Sequence, residues 1–113
     1  IFDPRGAVLA EVDGRAVASC DLPLSAAAGK DVTTVEGLGS PEQPHPLQSA
    51  FIAEQAMQCG YCISGILVSA AALLRQNPSP SSDEVKTALD RNICRCGCYQ
   101  RIENAVHLAS TGV

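Results

Sequence analysis

The sequence predicts an α+β protein in which short strands occupy the first forty residues and helices occupy the rest. A tight-turn dipeptide, Asp13-Gly14, lies between two β-prone runs near the start. The stretch 37–46 holds three prolines and two glycines in ten residues, which excludes both helix and strand. Beyond this linker, apolar residues recur at helical spacing. We therefore expect a strand-containing segment over 1–40 and a helical domain over 41–113.

The strand-containing segment is predicted to begin with a hairpin. Runs 8–12 and 15–19 flank Asp13-Gly14, which supplies the positive φ angles of a tight turn. Residues 32–35 are β-branched throughout and predict a third strand. Between the second and third runs, residues 23–29 predict a turn or a single helical turn closed by glycine.

Four helices are predicted in the second part, arranged as two hairpins. Pro46 suits the first position of the first helix, in which Phe51 is the expected core anchor. An Asn-Pro pair ends the second helix, which is apolar on most of its faces. Ser81 and Glu84 form a capping box for the third helix. The predicted ranges are about 46–57, 63–76, 81–90 and 100–109.

Two close pairs of cysteines bracket the second and third helices. Two residues separate Cys59 from Cys62, thirty-one separate Cys62 from Cys94, and one separates Cys94 from Cys96. Four thiolates can hold zinc or an iron–sulfur cluster, but structural zinc sites prefer two to four residues within each pair. The tighter second pair favours an iron–sulfur cluster over a zinc-stapled interaction module without a redox role. Disulfides are the least favoured reading of these paired thiols.

The motifs around these cysteines carry a resemblance to a known family. Gln-Cys-Gly-Tyr-Cys-Ile-Ser-Gly (58–65) and Asn-Ile-Cys-Arg-Cys-Gly-x-Tyr (92–99) resemble the helical [2Fe-2S] domain in small subunits of molybdenum hydroxylases, the xanthine dehydrogenase family. They are most similar to the branch with isoquinoline 1-oxidoreductase, nicotinate dehydrogenase and related aldehyde dehydrogenases. The resemblance runs from about residue 45 to 109 and implies a four-helix fold with pseudo-twofold symmetry.

The resemblance also implies roles for particular residues. Cys59, Cys62, Cys94 and Cys96 would ligate one [2Fe-2S] cluster, and Gln58 and Cys96 would contact the pterin of a molybdenum cofactor on a large partner subunit. Gly60, between the first two ligands, would let backbone N–H groups approach the sulfurs. Cys98 stands where the family usually has Thr or Gly and is predicted to be a spare thiol. No residue of this chain is expected to act on substrate, so electron transfer is its implied role.

Residues 1–40 resemble the last part of the plant-type ferredoxin domain, a β-grasp fold, that precedes the helical domain in this family. Arg5 and Val8 occupy two expected cysteine positions, and a further ligand would fall before Ile1. Only Cys20 matches, so the chain as written is expected to lack a second cluster, unless its N-terminal part is incomplete or misassigned. Without such a cluster, Cys20 is predicted to be a small buried apolar residue.

Composition limits the partners and the compartment. The net charge is −4 and the pI is about 4.9, with no basic stripe, which argues against nucleic-acid binding. No apolar run reaches the length of a membrane span. Besides the large molybdenum subunit, the expected partner is a c-type cytochrome or flavin subunit. Reduced thiols favour assembly in the cytoplasm, with folded export to the periplasm beside a partner as the alternative.

Overall fold

A computed structural model describes residues 9–111 of the chain. It has an α+β fold in which a three-stranded antiparallel sheet, ordered β2-β1-β3, lies against helices. Val8, which was predicted to belong to the first strand, falls outside the described residues. The strands are Leu9–Val12 (β1), Arg15–Ala18 (β2) and Val32–Thr33 (β3).

The predicted hairpin is present, with Glu11 opposite Ala16. Asp13 and Gly14 take φ angles of 50° and 83°, the left-handed values that this tight turn requires. Asp13 also secures β3, because its backbone N–H donates to the Asp31 carbonyl and its Oδ1 accepts from the Asp31 N–H, each at 2.9 Å. The third strand is shorter than predicted, since residues 35–37 form a 3-10 turn instead.

The helices match the predicted ones in number and order beyond the linker, and residues 24–27 form the single helical turn that was one of the two predictions for 23–29. Two ends differ: the helix after the linker stops near residue 53 rather than 57, and the third stops near 88 rather than 90. The earlier end follows from Gln55, whose φ of 51° lets the Ala56 N–H donate to the Phe51 carbonyl at 2.9 Å. The helices are Leu24–Ala27 (α1), Pro46–Ala53 (α2), Ile63–Gln76 (α3), Ser82–Ala88 (α4) and Tyr99–Ser110 (α5).

Side chains cap two of these helices. The predicted capping box of Ser81 and Glu84 is present at α4. At α2, the His45 Nδ1 accepts from the Leu47 N–H at 3.1 Å, and the Gln48 Oε1 accepts from the His45 N–H at 2.9 Å. His45 is therefore the N-cap of α2, a position at which Ser, Thr, Asp and Asn are the usual residues.

The hydrophobic core lies among α2, α3, α4 and α5. Phe51 is fully buried, as predicted, and α3 is the central helix, with α2 packed on α5 beside it. Ala88, the last residue of α4, is exposed. The most deeply buried large apolar side chains are Leu47, Phe51, Ile66, Val68, Val85, Ile102 and Val106.

The sheet docks on α3 through a buried carboxylate. Glu11 of β1 has a side chain only 3% exposed, and its Oε2 lies 3.1 Å from Nε of Arg75 at the end of α3. The side-chain amide of Gln76 donates to the Gly14 carbonyl at 3.3 Å. The end of α3 thus holds both β1 and its hairpin turn. Within residues 9–111, each helix is too short or too polar to cross a membrane.

Candidate metal centre

The two cysteine-bearing loops both lead into the N-terminus of a helix. Cys59 lies in the loop between α2 and α3, and Cys62 is the N-cap of α3. Cys94 and Cys96 lie in the loop between α4 and α5, and Cys98 is the N-cap of α5. A helix N-terminus carries partial positive charge, which favours thiolates over neutral thiols nearby.

A glycine shapes each loop. Gly60 has a φ of 82° and Gly97 a φ of 73°. A Cβ atom added at either position would meet nothing within 4 Å, so the backbone angle rather than space requires glycine there. The Gly60 carbonyl accepts from the Ile63 N–H at 3.2 Å, and the Gly97 N–H donates to the Cys94 carbonyl at 3.1 Å. Both loops are thereby folded back on themselves.

The structure brings three cysteines together in its buried core. Cys62, Cys94 and Cys98 are buried in one apolar cluster, and the charge of Cys94 acts on the thiols of the other two. Cys59 is exposed and Cys96 half-buried, each close enough for its charge to act on the buried thiols. None of the six cysteines, all of which the structure describes, forms a disulfide. In the described part of the chain, no group of three or more His, Cys, Asp and Glu side chains is arranged to hold a metal ion.

The backbone supplies hydrogen-bond donors to the sulfur atoms. The Cys98 N–H donates to Cys94 Sγ at 3.4 Å, and the Tyr61 N–H donates to Cys59 Sγ at 3.5 Å. The bond from Tyr61 is of the kind expected for Gly60. The turn at Gly60 directs the N–H of the following residue toward the sulfur. Such donors stabilise negative charge on sulfur, and they tune an iron–sulfur centre when one is bound.

The three buried thiols differ in acidity. Burial, the hydrogen bond to Cys94 and the charge of Cys94 together raise the pKa of Cys62 to about 12. Burial and the same neighbour raise the pKa of Cys98. Burial also acts to raise the pKa of Cys94, but hydrogen bonds from the backbone N–H groups of residues 96–98 and from Cys62 outweigh it and lower that pKa. Cys94 therefore ionises most readily of the three.

Tyr99 holds the second cysteine loop in place through its hydroxyl group. Its hydroxyl oxygen accepts a hydrogen bond from the backbone N–H of Cys94 at 2.6 Å. Tyr99 belongs to the second cysteine motif, but no role was predicted for it. The signal was present, because an aromatic residue with a hydroxyl directly follows the last cysteine of the loop.

The remaining predicted residues are placed as follows. Gln58 is exposed, and its side chain acts to lower the pKa of Cys98. Cys20 was predicted to be buried, and this is wrong: it is exposed in a 3-10 turn, residues 19–21, in which no residue is buried. Arg5 lies outside the described residues, as Val8 does.

The chemistry of the donor set fits a thiolate-bound metal cluster. Four predicted ligands lie on two neighbouring loops, with N–H groups directed at sulfur and two helix N-termini that offset negative charge. Residues 58–62 and 94–98 contain no Asp, Glu or His, the residues that supply the usual ligands of harder ions.

Comparison with known proteins gives a consistent result. Residues 34–107 match the family described as the [2Fe-2S] binding domain. Over 105 residues the chain is 52% identical to the alpha chain of isoquinoline 1-oxidoreductase from Brevundimonas diminuta and 50% identical to a nicotinate dehydrogenase subunit from Pseudomonas putida. Each alignment covers 93% of this chain and 68% or 67% of the relative, respectively, so the chain spans about two thirds of their length.

A solved structure is also similar. The aldehyde oxidoreductase from Desulfovibrio desulfuricans aligns with a TM-score of 0.88 at 42% identity. The alignment covers 94% of this chain and 12% of that much longer one. The α+β fold described above therefore occurs as a small part of a larger oxidoreductase chain.

Proposed function

The chain belongs to the [2Fe-2S] binding domain family and to the iron–sulfur subunits of the molybdenum hydroxylases, and from this premise we propose how it carries electrons. The proposed path of electrons runs from the molybdenum cofactor of a large partner protein, through this chain, to a downstream acceptor. The observation that carries the proposal is the convergence of two cysteine loops at the N-termini of α3 and α5, where Cys62 and Cys94 are buried in one cluster.

Four cysteines are proposed as the ligands of one [2Fe-2S] cluster. When bound, such a cluster supplies storage for a single electron. Cys62 and Cys94 are buried, whereas Cys59 is exposed and Cys96 is half-buried on the same loops. The proposed ligands are Cys59, Cys62, Cys94 and Cys96.

The exposed side of the site is proposed to face the large subunit. Gln58 is exposed beside the first cysteine and Cys96 is half-buried, so both can contact a pterin supplied from outside. The chain contributes no group to the chemistry at the substrate carbon. Its relatives' names point to an aldehyde or an N-heterocycle as the substrate of the assembled enzyme.

The finer architecture is proposed to follow the family. The region 41–113 would be a four-helix domain with pseudo-twofold symmetry, in which each half supplies one cysteine pair followed by a helix N-terminus. The region 1–40 would be a partial β-grasp segment of the ferredoxin type. The antiparallel β2-β1-β3 sheet and the repeated order of glycine, N-cap cysteine and helix support this division.

The downstream acceptor is proposed to be a c-type cytochrome or flavin subunit. Arg5 and Val8 stand at two positions where a second cluster would need cysteines, and Cys20 alone matches. A ferredoxin-type cluster uses four cysteine ligands, so the arginine at position 5 and the valine at position 8 argue against one on this segment. Electrons would then leave this segment for another subunit directly, in the cytoplasm or, after folded export, in the periplasm.

Reduction of the assembled complex by substrate tests this function. The complex with its large subunit would be mixed anaerobically with nicotinate, isoquinoline or benzaldehyde, and visible absorbance followed in a stopped-flow instrument. We expect one of the three to bleach the iron–sulfur absorbance, and Cys94→Ser to abolish the bleaching. Cys20→Ser, a change at an exposed thiol away from the site, is the matched control. A colourless, zinc-containing complex would refute the proposal.

A further inference from the structure

A pocket at the C-terminal end of α3 is lined by three carboxylates. It has a volume of about 370 Å³ and lies where the turn between β1 and β2 meets β3 and Arg75. All of its residues lie outside the two cysteine loops, so it is separate from the candidate metal centre. The residues that line it are Glu11, Asp13, Gly14, Asp31, Thr33 and Arg75.

Glu11 is the buried carboxylate of this pocket. Its side chain is 3% exposed, and its Oε2 is paired with Nε of Arg75 at 3.1 Å. The other oxygen, Oε1, is buried and has no hydrogen-bond partner among residues 9–111. A buried carboxylate oxygen without a donor is energetically costly, and most such oxygens in proteins are paired. The pocket therefore holds an acceptor that a ligand with N–H groups would satisfy.

Two exposed carboxylates complete the pocket. Asp13 and Asp31 lie beside each other, because Asp13 Oδ1 accepts from the Asp31 backbone N–H at 2.9 Å. Glu11 is opposite Thr33 in the pairing of β1 with β3, which brings the buried carboxylate to the same end of the sheet. The three carboxylates exceed the one guanidinium of Arg75 by two negative charges. The pocket is therefore suited to a cation.

An ammonium group fits this pocket better than a metal ion does. Over residues 9–111, His, Cys, Asp and Glu side chains are nowhere clustered in threes closely enough to hold a metal ion. Oxygen ligands must approach Mg²⁺ or Ca²⁺ to about 2.0–2.6 Å, whereas an ammonium nitrogen donates to carboxylates at about 2.7–2.9 Å. An ammonium group also has three donors, and a lysine carries it on a flexible stem that enters a narrow space.

The charge distribution points to a protein as the source of that ammonium group. Residues 1–45 carry seven acidic and three basic side chains, whereas residues 46–113 carry five of each. The whole net charge of −4 thus belongs to the part of the chain that contains the sheet. A surface of this kind attracts a partner with a basic surface, and complementary charges then fix how the two proteins dock.

The position of the pocket leaves the cysteine loops free. Cys62 and Arg75 lie at opposite ends of α3, a helix of 14 residues that is about 20 Å long. A side chain seated beside Arg75 would therefore not compete with a pterin at Gln58 and Cys96.

We propose that this pocket receives a lysine side chain of a partner subunit, whose ammonium group donates to Glu11 Oε1, Asp13 and Asp31. The inference rests on the proposed function only in taking the chain as one subunit of a complex. The lysine contact adds a second docking point to the proposed pterin contact. Together, the two points would set the orientation of the chain on its partners.

Zero-length cross-linking of the complex isolated with its partner subunits tests this contact. A carbodiimide activates carboxylates, which then form an amide bond with a lysine amine already in contact; ethylamine added in excess reacts with those that have no such neighbour. We expect mass spectrometry to find Asp13 or Asp31 joined to a lysine of a partner subunit. Ethylamides at both residues, in a sample whose subunits are cross-linked elsewhere, would overturn the proposal.

A substitution tests the charge of the pocket. Asp31→Asn keeps the backbone bonds through which residue 31 holds β3, so the melting temperature should not change. We expect its dissociation constant from the partner subunits to rise about tenfold at low salt and by less at high salt. Glu42→Gln, the matched control, removes the same charge from an exposed site in the linker and should change that constant by less than about twofold. Equal dissociation constants for the two variants would overturn the role of the pocket.

The metal content of the same preparation separates the two proposals. An intact iron–sulfur cluster without the cross-link contradicts only the lysine contact. Zinc in place of iron, together with the cross-link, contradicts only the proposed electron transfer.

Discussion

Tyr99 shows how one side chain sets the position of a proposed ligand. Its hydroxyl accepts from the Cys94 N–H at 2.6 Å, and Cys94 is 7% exposed, so water does not readily replace that bond. A buried N–H left without an acceptor costs free energy of the order of 1–3 kcal/mol. The bond therefore stabilises the loop before any metal binds.

We expect Tyr99→Phe to lower the free energy of unfolding by about 1–3 kcal/mol, since it removes the acceptor and keeps the ring. Urea unfolding followed by circular dichroism measures the change. Tyr61→Phe, at an exposed tyrosine on the other loop, is the control and should change stability by less than about 0.5 kcal/mol. Equal stability of the two variants would contradict this role of the Tyr99 hydroxyl.

The helix caps operate at the scale of elements. At α2, burial lowers the pKa of His45; the carboxylate of Glu11 acts to raise that pKa and Arg75 to lower it. The neutral ring accepts from the Leu47 N–H through Nδ1, and a proton on Nδ1 would remove that acceptor. The cap of α2, and with it the position of Phe51 in the core, therefore depends on a neutral His45.

We expect the protein to lose stability on acidification through the pH range just below 6.5. The folded-state pKa of His45 lies below its unfolded value, so this stability is fully present above the unfolded pKa and is lost as the pH falls toward the folded one. Melting temperatures between pH 7.5 and 5 measure the effect. His45→Asn keeps a capping oxygen without the titration and should flatten the profile in this range. A profile identical to that of the unaltered protein would show that His45 is not its origin.

Sequence analysis correctly predicted the elements whose signals lie in a few neighbouring residues. Pro46 and the Ser81–Glu84 box marked helix starts, and both are present. The early end of α2 had no such signal, because Gln55 adopts a positive φ that glutamine rarely takes. The burial predicted for Cys20 was wrong because its run leaves the sheet after Ala18.

The candidate metal centre likewise has some features with a local sequence signal and others without one. The cysteine spacing indicated the ligand candidates, and Gly60 could be identified between the first two of them. The burial of Cys98 in one cluster with Cys62 depends on how two loops from different parts of the chain meet, which local spacing does not encode. The ligand candidates could therefore be predicted from the sequence, whereas Cys98 could be identified only as a spare thiol.

The whole molecule joins its sheet to its helical core through α3. Glu11, buried in β1, is paired with Arg75 at 3.1 Å, and Arg75 is 58% exposed. A buried charge that loses its partner is strongly destabilising. This ion pair makes the placement of the sheet dependent on the end of α3.

We expect Arg75→Ala to lower the free energy of unfolding by about 3 kcal/mol, the lower end of the range for breaking a buried pair, because the exposed Arg75 side leaves room for water. Denaturant unfolding measures the loss. The double variant Glu11→Gln with Arg75→Ala should recover much of it, since no buried charge then remains. A double variant as unstable as Arg75→Ala would mean that packing of the arginine, not its charge, holds the sheet.

The most direct test of the central claim is the iron and acid-labile sulfide content of residues 1–113, measured together with EPR of the dithionite-reduced protein. We expect two irons and two sulfides per chain with one EPR signal. We further expect that Cys59→Ser, Cys62→Ser, Cys94→Ser and Cys96→Ser each lose the signal, while Cys20→Ser and Cys98→Ser keep it. Zinc in place of iron, or a signal that survives Cys94→Ser, would contradict the claim.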